Sequence, residues 1–363
     1  MLAGFLAALL AAFAVCWLVI ASRKAHQKLS LDDTIPGLQK VHKRPVPRIG
    51  GFGILAGVAA GAFVLEPRER DWLLLFLLAA LPAFAGGFLE DLSKKISPYS
   101  RLLFAFGAAG IAYFLVDARI TDLDLPYDDH FFRYEILAFG FTLFAVGGYA
   151  HAANIVDGMN GLMGLTTLAA LGAIALVGWE VGDERVMCAA LVLMGATLGF
   201  LAWNWPRGLL FAGDGGAYFL GLATALLAVL LVHRNSEVSP WFALLVLWYP
   251  VWETLYSMYR RKTRGRSPAD ADGLHLHTLV YRRIVRRGSP ARRSALTALY
   301  MVGLALGAVA PAWFFWGETW LLQAFAAGWA ALYLWLYGRI ARFRAGHWLI
   351  GDSPQLRPRQ GNW

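Results

Sequence analysis

The sequence predicts an all-α integral membrane protein, a polytopic bundle of about eleven transmembrane helices, and three observations predict it. Of 363 residues, 58% are hydrophobic and only 16% charged, more grease than a soluble domain needs. Windows of about 20 apolar residues, the length that crosses the hydrocarbon at 1.5 Å per residue, recur along the whole chain. Lys and Arg gather in alternate loops between those windows, the pattern that orients membrane helices.

In chain order the windows are 2–21, 49–65, 72–89, 100–116, 134–153, 161–179, 186–202, 215–233, 241–257, 294–314 and 320–338. The first is read as a retained anchor and not a cleaved signal, because the basic cluster Arg23, Lys24 and Lys28 follows it. The loops after odd-numbered windows (22–48, 90–99, 154–160, 203–214 and 258–293), counted with Arg101 and the tail, hold 27 of the 33 Lys and Arg. The positive-inside rule therefore puts these loops in the cytoplasm, the N-terminus outside and the C-terminus inside. A rim that basic attracts phosphates and anionic membrane lipids. Residues 1–338 form one catalytic domain on this reading, followed by a basic cytoplasmic tail, 339–363, whose RIARFRAGHW stretch suits the membrane surface. Cys16 and Cys188 lie in apolar windows and carry no disulfide or redox message. The acidic stretch 117–133 contains the alternating piece ITDLDLPY, which predicts a small hairpin without chemistry.

Five polar clusters fall on the predicted cytoplasmic side: HKRPVPRIGG (42–51), Glu90-Asp91, NIVDGMNG (154–161), Asn204 to Asp214, and DGLHLH (272–277). Asn154, Asp157 and Asn160 are spaced three apart and would form one polar stripe on a helix entering the sixth window. An ionisable group at a membrane helix end is costly, which marks Asp157 as functional. Phe211-Ala212-Gly213-Asp214-Gly215-Gly216 opens the eighth window. A glycine-flanked helix start suits phosphate oxygens, and Asp214 there either caps the helix or holds Mg²⁺. Glu90, Asp91, Asp157 and Asp214 at one level suggest a divalent cation on a diphosphate. His275 and His277, two apart, share a side only on an extended segment, and the i, i+4 pair of a helical zinc site is absent. Beside Arg282 and Arg283 they read as a clamp on phosphate or sugar.

Taken in order, these motifs resemble the polyprenyl-phosphate N-acetylhexosamine-1-phosphate transferase family, with similarity running from Asp33 to Arg287. The resemblance implies transfer of a sugar-1-phosphate, first of all GlcNAc-1-phosphate, from a UDP-N-acetylhexosamine to undecaprenyl phosphate, with release of UMP. It implies a bacterial cytoplasmic-membrane enzyme that starts O-antigen, capsule or another envelope polysaccharide. It assigns Asp214 to Mg²⁺ (or Mn²⁺), possible sharing of that ion to Asp91, and catalytic positions to Glu90, Asp91, Asp157 and Asp214. Asn154, Asn160, Asn204, Phe211, His275, His277, Arg282, Lys43 and Arg48 become substrate-binding positions, with Phe211 stacking on uracil. Four positions depart from the family pattern: Glu90, Asn160, Glu253 and Thr278. Asn160 and Thr278 argue against the alternative peptidoglycan-precursor branch, the phospho-N-acetylmuramoyl-pentapeptide transferases. A secondary transporter of an anionic solute is the rival from another class, disfavoured by the lack of a visible repeat and by motifs at helix ends. No nucleic-acid partner is expected, and a homodimer is left open.

Overall fold

A computed structural model describes residues 1–25, 46–126, 128–265 and 272–342. Lys28, Lys43, Asp270 and the tail from residue 343 onward lie outside the described residues. The described chain forms fourteen helices and no strand. They are α1 (Leu2–Ala21), α2 (Gly51–Phe63), α3 (Pro67–Ser93), α4 (Pro98–Leu115), α5 (Asp128–Phe132), α6 (Glu135–Val156) and α7 (Leu162–Glu180). They continue as α8 (Glu184–Asn204), α9 (Gly213–Arg234), α10 (Pro240–Val246), α11 (Trp248–Thr263), α12 (Leu276–Arg283), α13 (Pro290–Phe314) and α14 (Thr319–Ala341).

Eight of these, α1, α3, α6, α7, α8, α9, α13 and α14, are long and apolar enough to cross a membrane. Every one of the eleven predicted windows overlaps a helix, but three fall short of that standard. Helix α2 has 13 residues, α4 carries Arg101 near its start, and the ninth window is broken at Leu247 into α10 and α11.

Helix α9 is the post around which the rest is built. Its apolar residues are not confined to a stripe, so it belongs where protein surrounds it, and 94% of its most apolar stretch is buried. It packs on α2, α3, α6 and α7, while α4 fills the angle between α3 and α6. Helix α1 lies outside, on α2 and α8. The C-terminal α11 to α14 close the other flank, with α11 on α6 and α13 on α7.

Small residues set how close α9 comes to its neighbours. A Cβ built on Gly87 of α3 would lie 2.4 Å from the Asp214 carbonyl carbon, and one on Gly51 of α2 would lie 2.5 Å from Gly216 Cα. Backbones of three helices therefore touch at the start of α9, as small residues permit between membrane helices. At its far end α9 is tied down by Arg234, which donates to Asp183 at 2.6 and 3.2 Å. Asp183 also caps α8 through the Val186 amide at 3.2 Å.

The predicted hairpin in 117–133 does not form in the described residues. Asp117 and Asp124 take positive φ (62° and 53°), a conformation aspartate tolerates but a strand does not. The backbone between them is held from outside the segment. Ile120 N–H donates to Thr142 Oγ1 (3.0 Å), the Trp241 indole donates to the Leu123 carbonyl (3.0 Å), and the Thr319 hydroxyl bonds Asp124.

Gly213 has φ +74°, and a Cβ there would sit 1.9 Å from the Arg48 carbonyl. Gly213→Ala should therefore lose more than the roughly 1–3 kcal/mol typical of a strained backbone position, seen as loss of the monodisperse peak in detergent. Gly172→Ala, with nothing within 4 Å of the added carbon, should leave that peak and the thermal midpoint unchanged or slightly raised.

Candidate active site

The site is assembled around the first turn of α9. The Phe211 amide donates to the Pro47 carbonyl (2.9 Å), Gly50 N–H to Phe211 O (2.9 Å) and Gly51 N–H to Ala212 O (2.8 Å). These bonds lay the PVPRIGG and FAGDGG segments side by side. A helix start leaves amides without intrahelical partners, and here a side chain from another helix takes them. Asp91, in the last turns of α3, accepts from the Asp214 and Gly215 amides at 2.9 Å each, one on each carboxylate oxygen. The capping that the sequence left open for Asp214 is thus done by Asp91, and Asp214 is free to point elsewhere.

Asp214 points at two guanidinium groups. Arg48 reaches Oδ1 at 3.2 Å and Arg101 pairs with Oδ2. Asp157 ends α6 as its C-cap. Burial raises its pKa to about 6, and Arg48 opposes that rise. Glu90 does a different job: its Oε2 accepts the Ile96 amide at 2.6 Å, shaping the turn that leads into α4.

The polar stripe predicted over Asn154, Asp157 and Asn160 is broken. Helix α6 stops at Val156, and α7 starts only after Gly161, whose φ is +84°, so Asn160 lies in a turn. It is fully buried, with its amide N–H on Ser294 Oγ (2.8 Å) and its Nδ2 on the Pro206 carbonyl (3.1 Å). Asn204 works similarly, accepting from Gly161 N–H at 2.6 Å and donating to Leu210 O at 2.8 Å. Both amides tie backbone segments together behind the site.

The histidine segment is clamped between α11 and α14. Asp272 accepts from Ser257 Oγ (2.5 Å), from the Leu274 amide (2.9 Å) and from Arg260. Arg260 in turn donates to Leu274 O at 2.7 Å and bonds the Tyr337 hydroxyl. Glu253, 1% exposed, lies 3.0 Å from His275 Nδ1, and accepts the Leu276 amide at 3.1 Å and the Tyr333 hydroxyl at 2.8 Å. His275 is the extended N-cap of α12 and His277 lies in its first turn, so the segment is not extended throughout. The two rings nevertheless stack, 5.3 Å apart and 6° from parallel. Burial, then the charge of His275, lowers the His277 pKa to about 4, which keeps it neutral near pH 7. Its Nδ1 is buried with no hydrogen-bond partner among the described residues.

Glu90, Asp91, Asp157, Asp214, Arg48, Asn154, Phe211, His275, His277 and Arg282 all line one cavity of about 1720 Å³. Asn160 and Asn204 do not. Beyond the polar end the same cavity runs along Phe141, Phe144, Val229, Leu244 and Leu247, an apolar limb between α6, α9 and α10. Among the described residues no three His, Cys, Asp or Glu side chains converge as a ready-made metal cage. Mg²⁺ is commonly held by one or two carboxylates with water and substrate phosphate completing the shell, and Asp214 on the cavity wall has the oxygens such a site would use.

Comparison with known proteins fits this arrangement. A sequence profile for glycosyl transferase family 4 matches residues 73–232, the stretch that carries Asp91, Asp157 and Asp214. A probable undecaprenyl-phosphate N-acetylglucosaminyl 1-phosphate transferase of Bacillus subtilis is 26% identical over 269 residues, 74% of this chain and 73% of the relative. Undecaprenyl-phosphate alpha-N-acetylglucosaminyl 1-phosphate transferases of Yersinia pestis and Escherichia coli K12 are 28% and 27% identical over 282 and 270 residues. These alignments cover 74% and 72% of this chain, and the same shares of the relatives. Over residues 73–232 the chain resembles glycosyl transferase family 4. The family profile ends before His275 and His277, so that half of the cavity wall rests on the geometry above.

The fold brings residues to the cavity that the sequence reading passed over. Arg101 was counted only as a topology marker, yet it reaches Asp214. The signal was a guanidinium directly before Leu102, Leu103 and Phe104 in an otherwise greasy helix. Arg261 and Arg293 also line the cavity, and nothing in the crowded basic loop set them apart from the nine other Lys and Arg there.

Asp91→Ala should cost roughly 2 kcal/mol, because two buried amides lose their acceptor. Glu90→Gln, which keeps an acceptor for Ile96, should cost under about 0.5 kcal/mol; thermal unfolding in detergent measures both. His277 gives a pH prediction. Its folded pKa lies below that of the unfolded chain, so the unfolded state binds more protons between about pH 6.5 and 4. Stability should fall as pH drops through that window, and His277→Gln should flatten the fall.

Proposed function

We propose that this protein transfers GlcNAc-1-phosphate from UDP-GlcNAc to undecaprenyl phosphate, releasing UMP and leaving a lipid-diphosphate sugar. One observation carries the reading: a single cavity joins the carboxylates of Glu90, Asp91, Asp157 and Asp214 and the guanidinium groups of Arg48, Arg101 and Arg282, among others, to an apolar limb. A soluble nucleotide sugar and a lipid phosphate need that combination, and either alone would not. The names of the similar proteins, all undecaprenyl-phosphate N-acetylglucosaminyl 1-phosphate transferases, support the substrates.

In the reaction an oxygen of the lipid phosphate attacks the β-phosphorus of the nucleotide sugar. One P–O bond forms, the bond from that phosphorus to the bridging oxygen breaks, and UMP leaves with the bonding electrons. A phosphate monoester has its second pKa near about 6, so the attacking oxygen is already largely anionic at neutral pH. Strong general-base help is therefore unnecessary, and Asp91, committed to two amides, is a positioning residue. Asp214, with Asp91 behind it, would hold Mg²⁺, which when bound supplies Lewis-acid neutralisation of the diphosphate. Arg48 and Arg101, paired to Asp214 in this structure, lie where phosphate oxygens would draw them into charge-assisted bonds. Arg282 and the His275–His277 stack face the same space and suit the sugar phosphate. Phe211, on the cavity wall, offers a ring on which uracil can stack.

The distribution of basic residues supports a polar end at the cytoplasmic face of a bacterial inner membrane, on a reading with about eleven crossings. There both substrates are accessible, and the product begins an O-antigen, capsule or related envelope polymer.

Asp214→Asn tests the core of this proposal. Purified protein in detergent, given Mg²⁺, UDP-GlcNAc and undecaprenyl phosphate, should release UMP. The variant should fall at least about 10³-fold in rate while keeping its elution profile. Chelation by EDTA should abolish wild-type release, and added Mg²⁺ should restore it. Release that survives both treatments would overturn the metal assignment, and no release from wild type would overturn the reaction.

A further inference from the structure

Helices α6 and α9 meet at Gly221, where an added Cβ would lie 2.7 Å from Ala153 Cβ and 3.0 Å from Ala150 Cα. That close approach sets His151 of α6 against Tyr218 of α9, with His151 Nδ1 2.6 Å from the Tyr218 hydroxyl. The pair stands next to the groups already described. Tyr218 follows Asp214 by four residues on α9, so the two share a helix face, and its ring lies 6.0 Å from the Arg101 guanidinium that pairs with Asp214. His151 lines the cavity, on the same face of α6 as Asn154 and one turn farther toward the apolar limb.

Which nitrogen carries the proton follows from hydrogen-bond accounting. Tyr218 is fully buried, and among the described residues its hydroxyl has His151 as its only hydrogen-bond partner. A buried O–H left without an acceptor is costly, so the hydroxyl donates and Nδ1 accepts. The neutral imidazole then bears its hydrogen on Nε2. That nitrogen is not among the buried unpartnered atoms of the described residues, and the half-exposed ring opens to the cavity. The result is a fixed N–H donor on the wall of the cavity that Arg101 and Asp214 also line.

We propose that His151 is a substrate-contacting residue, its Nε2–H donating to a phosphoryl oxygen bound beside Arg101 and Asp214, with Tyr218 as the positioning residue that fixes the tautomer. The inference rests on the phosphotransfer reading above. The oxygen belongs to the lipid phosphate or to the nucleotide diphosphate, and the kinetics separate them. A plain interhelical staple between α6 and α9 is the competing role.

The test is steady-state UMP release by the full chain in detergent with Mg²⁺, varying each substrate in turn, for wild type, His151→Ala, His151→Gln and Tyr218→Phe. His151→Ala should raise one KM at least about tenfold with a smaller change in kcat. A rise in the KM for undecaprenyl phosphate assigns the oxygen to the lipid, and a rise in the KM for UDP-GlcNAc assigns it to the nucleotide. His151→Gln, which keeps an N–H donor, should recover part of the loss, and Tyr218→Phe should move the same KM the same way by a smaller factor. Both KM values within twofold of wild type in His151→Ala, with only the thermal midpoint lowered, would establish the staple and overturn the proposal. If His151→Ala does not fold, His151→Gln and Tyr218→Phe decide: an unchanged KM in both overturns the assignment, and a matched shift in both supports it. Absence of turnover in wild type would remove the underlying reaction, a failure distinct from normal wild-type turnover with unaffected variants.

Discussion

The rest of the site depends on one carboxylate accepting two amides across a helix boundary. Asp91 takes the Asp214 and Gly215 N–H groups, and it can do so only because α3 and α9 touch at Gly87. The first turn of a helix carries partial positive charge and unpaired donors. By answering that need from a neighbour, the fold leaves the residue in the first turn, Asp214, with no capping duty. Its carboxylate instead faces Arg48 and Arg101 and the cavity. A cap drawn from its own helix would have turned that side chain away from the cavity.

The same economy explains the pairing of 47–51 with 211–212. Residues before α2 and before α9 bond to each other through their backbones, which places Arg48 beside Asp214 without using a side chain to hold the loop. On the opposite wall, buried side chains do that work. Glu253, Asp272 and Arg260 tie His275 and its neighbours to α11 and α14. A rigid wall of two stacked imidazoles suits recognition of a sugar phosphate better than a swinging loop would, since ordering is complete before the ligand arrives.

Much of this was legible in the sequence, and what escaped has physical reasons. The windows of apolar residues located the helices, because length and hydropathy are decided by the solvent. Asp157 stood out because charge at a membrane helix end is expensive and needs a cause, Asp214 because glycines flank it at a helix start, and with Asp91 they line one cavity. The stripe through Asn160 failed because the threefold spacing assumed an unbroken helix, whereas Gly158 and Gly161 turn the chain. The hairpin over 117–126 failed because alternation says nothing of φ, and two aspartates there take the left-handed form. Asn204 drew notice for its polarity, yet its amide bridges Gly161 and Leu210, a fact fixed by tertiary contact alone. Arg101 and His151 were hidden by their greasy surroundings, and only the approach of α4 and α6 to α9 gives them partners.

Helix α9 is moored at both ends, by Asp91 at one and by the Arg234–Asp183 pair at the other. A column fixed twice neither slides nor tilts by much. Any give along the apolar limb is left to the elements around that column, where α10 and α11 break at Leu247 on the cavity wall.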